Sequence, residues 1–103
     1  MKKKQNGTLY LPLKKKWYKM IESGEKLEEY RENKLYWCKR LYKDGDWRTG
    51  EFKPYTHVVF SYGYTRQRMT WQIKKILKTF GKPEWGAPEG KMMLTIRLGE
   101  RVK

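Results

Sequence analysis

The feature that most limits how this chain can fold is a stop signal at Ser23-Gly24, which separates a helical pattern from an extended one within a few residues. Glycine takes left-handed backbone angles without a Cβ penalty, so it ends helices. Upstream, Trp17, Met20 and Ile21, with Leu13 just before them, recur at helical spacing and predict a helix over 14–23. Downstream, Gly24–Arg31 reads as a turn and a charged strand, with Lys26, Glu28 and Tyr30 on one face and Leu27, Glu29 and Arg31 on the other. Both faces therefore carry charge. A strand that only packs keeps one face apolar, so Lys26, Glu29 and Arg31 are either groups held for a partner or a solvated edge of ion pairs.

Charge sets this segment apart from its surroundings. The chain has 103 residues with 25 Lys and Arg against 11 Asp and Glu, a formal +14. Residues 22–32 hold five acids (Glu22, Glu25, Glu28, Glu29, Glu32) and two bases (Lys26, Arg31), so an acidic island sits in a basic protein. Such a field favours polyanions, either nucleic acid or an anionic membrane. The aromatics favour nucleic acid. Five Trp, eight Tyr and three Phe are interleaved with cations in Trp17-Tyr18-Lys19, Tyr36-Trp37-Cys38-Lys39-Arg40 and Tyr62-Gly63-Tyr64-Thr65-Arg66, and stacking faces beside cations suit bases and phosphates. The competing use of these rings is to fill a core short of Leu, Ile and Val.

The length suits one domain over 8–103, preceded by a disordered basic arm over 1–7. No segment has the length and apolarity of a membrane span or signal peptide, so the expectation is a cytoplasmic, monomeric protein with no membrane partner. A single cysteine, Cys38, excludes an internal disulfide and a cysteine metal cage, and His57 has no second histidine. No metal and no cofactor are expected. Cys38 reads as a small buried residue of a helix.

The remaining elements follow in order. Thr8–Leu13 is a first strand, with Pro12 limiting its pairing. Lys14, Lys15, Lys16 and Lys19 crowd the first helix, and cations at its start oppose the macrodipole. Lys14 and Lys16 are thus either an anion site or a solvated face. Leu35, Cys38, Leu41 and Tyr42 predict a second amphipathic helix over 33–42, and residues 43–54 a loop or short hairpin. Residues 56–63, β-branched and aromatic, form a central strand. The turn 64–68 carries Arg66 and Arg68, and residues 69–76 continue as a strand, with a helix over 70–79 as the competitor. A Gly- and Pro-rich loop over 80–90 leads to a closing strand over 91–99. This order has too few helices for a doubly wound sheet and predicts an α+β, mainly β fold, a small twisted sheet curled towards a barrel.

The Leu-x-Leu strand, the helix end Ile21-Glu22-Ser23-Gly24-Glu25-Lys26, the strand Leu27–Arg31 and the terminal Leu94–Glu100 together resemble the ASCH domain of the PUA-like superfamily. The Tyr36–Leu41 helix, Phe60–Tyr64 and Pro83–Pro88 look like a small single-domain branch of it. The likeness spans roughly 8–102, and its signature is Gly24-x-Lys26-x-x-Glu29-x-Arg31. It implies a five- to six-stranded β-barrel flanked by two or three short helices, with a cleft between the barrel and the first helix that meets RNA or a nucleotide derivative. Lys26, Glu29 and Arg31 are the cleft residues so implied, with Lys14 and Lys16 from the helix start; Arg66 and Arg68 come from the reading of the turn.

Some ASCH proteins that resemble this one hydrolyse acylated cytidine through a lysine, a threonine and a glutamate. That resemblance would make Lys26 and Glu29 catalytic. The residues after Lys26 are Leu27, Glu28 and Glu29, however, so the expected threonine nucleophile is missing, and Thr70 or Thr95 would serve only beside Lys26. The favoured expectation is an RNA- or nucleotide-binding domain, with a small hydrolase of a modified nucleoside or RNA as the alternative, and a basic protein without a specific partner as the third.

Overall fold

The computed structural model describes residues 7–103. The expected arm over 1–7 lies outside the described residues except for Gly7. The fold is α+β and mainly β, in the order β1 (Thr8–Leu13), α1 (Lys15–Glu22), β2 (Glu28–Arg31), α2 (Leu35–Leu41), β3 (His57–Tyr62), β4 (Arg68–Phe80) and β5 (Met92–Arg101). The five strands form one sheet in the order β1-β3-β4-β5-β2. The chain groups into two compact units, one from residues 1–27, 54–74 and 98–103, the other from 28–53 and 75–97.

In the first unit β1 runs parallel to β3, with Leu9 opposite Val58, Leu11 opposite Phe60 and Leu13 opposite Tyr62. Every second residue of β1 points inward, so Leu9, Leu11 and Leu13 are buried while Tyr10 is exposed. Pro12 is accommodated because β1 ends the sheet, where a missing N–H leaves no inner ladder bond unmade. β3 has β1 and β4 as neighbours, the central position its composition predicts. It pairs antiparallel with β4, Val58 opposite Trp71 and Phe60 opposite Met69. Tyr18 and Ile21 of α1 join the same buried set.

In the second unit β2 pairs antiparallel with β5, Glu29 opposite Ile96 and Tyr30 opposite Thr95. Cys38, Leu41 and Tyr42 are buried, as their spacing predicts, but Leu35 is 66% exposed. The helix begins only at Leu35, so that side chain sits in the first turn at the mouth of a pocket described below. The loop 43–54 closes as a hairpin-like turn: Lys43 N–H donates to the Glu51 carbonyl at 2.8 Å, and the Tyr42 and Phe52 rings stack at 4.4 Å.

The strand expected over 69–76 is present and the competing helix over 70–79 is not, but β4 starts at Arg68 and runs on to Phe80, into what reads as loop. Lys74 and Lys75 are both exposed and Ile76 and Leu77 both half-buried, so the alternation that buries Met69 and Trp71 breaks down there and the period-2 signal is hidden. β2 spans only four residues, and its adjacent Glu29 and Tyr30 are both buried, so the alternation expected from Lys26 onward is absent.

Tyr30 anchors the second unit. Its hydroxyl donates to Glu28 Oε1 at 2.7 Å and accepts from the Lys82 N–H at 3.0 Å, while Arg97 Nε donates to Glu28 Oε2 at 2.8 Å. Burial pushes the phenol up from its ordinary range; the Lys82 N–H opposes this and the bond to Glu28 reinforces it. The unfolded chain therefore releases this proton first, and the stability held by the phenol is complete below pH ~10 and declines as pH rises beyond it. Tyr30→Phe should cost about 1–3 kcal/mol at neutral pH. It should also flatten the alkaline decline in urea midpoint relative to the parent; parallel pH curves for the two proteins would refute this role.

Candidate nucleic-acid interface

The Ser23-Gly24 stop places Lys26. Gly24 has φ +85°, its N–H donates to the Ile21 carbonyl at 2.9 Å, and Lys26 N–H donates to the Met20 carbonyl at 3.0 Å. The chain is thereby folded back onto the last turn of α1. Here burial inverts hydropathy: Lys26 is 0% exposed, whereas the adjacent Leu27 is 43% exposed. Taking an ammonium out of water costs several kcal/mol, so such a position demands compensating contacts. One is aromatic. The Lys26 ammonium lies 5.3 Å from the centre of the Trp17 ring, and the Lys16 ammonium lies 4.7 Å from the same ring.

A second aromatic group stands beside the first turn of α1. Leu13 pairs with Tyr62, and Gly63 N–H donates to the Leu13 carbonyl at 2.8 Å, which fixes the end of β3 at the entry to the helix. Tyr62 packs edge-on against Tyr18 at 5.1 Å, and the ammonium groups of Lys15 and Lys19 lie 5.7 and 5.4 Å from its ring centre. Four lysines of the first unit are thus held on two rings, each such contact worth about 0.5–2 kcal/mol according to its desolvation. Thirteen of the 25 Lys and Arg and three of the 11 Asp and Glu belong to this unit, a formal +10.

The other residues singled out in the sequence fall as follows. Lys14 is exposed at the N-cap of α1 and its side chain makes no capping bond. Arg66 is exposed in the β3–β4 turn beside Tyr64, which is 96% exposed. Arg68 is exposed as well, but its guanidinium donates to the Thr65 and Gln67 carbonyls and so closes that turn. In the second unit, Glu29 accepts from Arg31 at 2.9 Å, with both side chains largely buried. The Arg31 guanidinium lies 4.9 Å from the centre of the Trp37 ring, and that of Arg40 lies 5.2 Å from it. Thr95, considered as a nucleophile, is wholly buried and donates its hydroxyl to the Met93 carbonyl at 3.2 Å.

Lys15, Lys19 and Tyr62 are additions that sequence reasoning did not assign to a site. The interleaving of Lys with aromatics pointed towards them, but the β1–β3 register that seats Tyr62 beside α1 is a long-range fact. Among the described residues, no helix is long and apolar enough to cross a membrane, and no group of three or more His, Cys, Asp or Glu is placed to hold a metal ion. No protein-family model matches the chain, and neither does any curated protein.

Proposed function

We propose that this α+β domain is of the ASCH type within the PUA-like superfamily and binds RNA or a nucleotide derivative. The exposed lysines of α1 are its phosphate-attracting rim, and Lys26 is held with Lys16 on Trp17. The observation that supports this reading most is the arrangement around Trp17 and Tyr62, where Lys15, Lys16, Lys19 and Lys26 are held on aromatic rings in the more basic unit. Lysine ammonium groups bind phosphate as point charges, and the rings under them fix where those charges stand. In the β3–β4 turn, Arg66 adds a further exposed cation and Tyr64 an exposed ring.

Phosphate contacts release counterions, so affinity for a single-stranded RNA should fall with salt. With about four such contacts the dissociation constant should rise roughly fifty-fold between about 50 and about 200 mM salt. Fluorescence anisotropy with a labelled mixed-sequence RNA measures this directly. Lys16→Glu, a change at an exposed site, should weaken binding at least tenfold at the lower salt and reduce the salt slope. Affinity that ignores both salt and this charge reversal would eliminate the proposal. Incubation with acylated cytidine tests the hydrolase alternative, with Lys26→Ala as its control.

A further inference from the structure

A pocket of about 430 Å³ lies wholly within the second unit, and none of its lining residues belongs to the set discussed above. Its walls are Leu35, Cys38, Tyr42 and Trp47, with Asn33, Lys34 and Lys78 contributing polar groups. The volume falls in the range of small-molecule sites, which are mostly apolar with a few polar groups that fix orientation. Among the described residues, no carboxylate lines it.

Trp47 is 61% exposed, yet the backbone that carries it is firmly held. Asp46 caps the short turn Trp47–Thr49 by accepting from Arg48 N–H at 2.9 Å, Arg48 Nε donates to the same carboxylate at 3.0 Å, and Gly50 closes the turn at φ +71°. The Arg48 guanidinium holds the Asp46 carboxyl below the usual range, so this cap persists at neutral pH. The opposing wall is also fixed: Tyr42 is buried and stacked on Phe52, and the Cys38 thiol donates to Asn33 Oδ1 at 3.3 Å. An open indole on a rigid turn is a ready stacking surface, because little backbone freedom is lost when a ring lies on it.

The two cations decide what kind of ring. Lys34 already contacts Glu32 at 3.0 Å, and Lys91 approaches the same carboxylate at 3.8 Å, so Lys34 is partly neutralised. Lys78, exposed on β4, is the stronger anion donor of the pair. An apolar partner protein would gain nothing from these lysines, and an acidic peptide would leave the indole without a planar partner. We infer that this pocket binds a nucleoside monophosphate, with Trp47 stacking on the base and Lys78, assisted by Lys34, taking the phosphate. The inference stands on the pocket's own chemistry and does not require RNA binding at α1.

The test is a titration of the isotopically labelled protein with adenosine and uridine 5′-monophosphates, following the Trp47 indole cross-peak, assigned by its loss in Trp47→Phe, and the amides of Leu35 and Cys38. Adenosine and ribose 5-phosphate serve as the ring-only and phosphate-only arms. Saturable shifts at these resonances are expected with a dissociation constant below about 1 mM for a monophosphate. Each arm alone should bind at least tenfold more weakly, and so should monophosphate binding to Trp47→Ala and Lys78→Ala. Unmoved cross-peaks at about 10 mM monophosphate would overturn the assignment. Shifts that follow protein concentration alone would also overturn it, and would give this face to a second copy of the chain. Failure here is separable from failure of the RNA reading, which is reported by the α1 resonances of Lys15, Lys16 and Lys19.

Discussion

Phe60→Ala is expected to lower the free energy of unfolding by about 3–5 kcal/mol. Phe60 is 0% exposed on the strand flanked by β1 and β4, and its register partners, Leu11 and Met69, are themselves buried. Truncation removes the ring's burial and leaves a cavity lined by a ladder whose hydrogen bonds hold it open, so collapse recovers little. A domain of this size has a total stability of about 5–15 kcal/mol, so the loss is a large part of the whole. Urea denaturation compared with Tyr64→Ala, at a side chain 96% exposed, provides the measurement. The surface variant should stay within about 0.5 kcal/mol of the parent. A Phe60→Ala loss below about 1 kcal/mol would mean that the β1–β3–β4 core is not assembled as described.

Gly81→Ala is the second large effect, and it acts by crowding. A methyl group on Gly81 would lie 2.6 Å from the Ala87 Cβ and closer still to the edge of the Tyr30 ring. Tyr30, Ala87 and Met93 form a buried cluster with Trp85 against it, and the Tyr30 hydroxyl is bonded both to Glu28 and to the Lys82 N–H. The ring has little room to withdraw, because moving it breaks one of those bonds. The cost should reach about 3 kcal/mol, the upper end for overpacking. Substitution of Tyr30 by Leu removes the ring that clashes, so Gly81→Ala should be milder in that background, with a coupling of about 1 kcal/mol or more. Strict additivity of the two changes would show that Gly81 is not pressed against Tyr30.

The contrast between these two sites shows what was legible. Phe60 could be placed on a central strand because it stands in a β-branched and aromatic run, and the helix stop at Gly24 could be placed because glycine takes that φ cheaply. Gly81 sits in a Gly- and Pro-rich loop, where it reads as a turn residue. Its true role, admitting the Tyr30 ring, depends on a contact 51 positions away in the chain. The motif shows the same division. Lys26, Glu29 and Arg31 stood out as charged residues on a would-be strand, and the bond between Glu29 and Arg31 is one of the alternatives left open there. That Lys26 would be buried and Leu27 exposed ran against every local rule of hydropathy.

Local backbone preference and side-chain period were enough to mark that α1 stops at Ser23-Gly24 and that 57–62 is a strand, since these depend on neighbours within a few residues. The parallel pairing of β1 with β3, the seating of Lys15 and Lys19 on Tyr62, and the pocket that Lys78 shares with Trp47 were decided by tertiary packing. Each of them joins segments far apart in the chain, and no residue in them carries a preference for its partner until the rest of the sheet and its helices hold the two together.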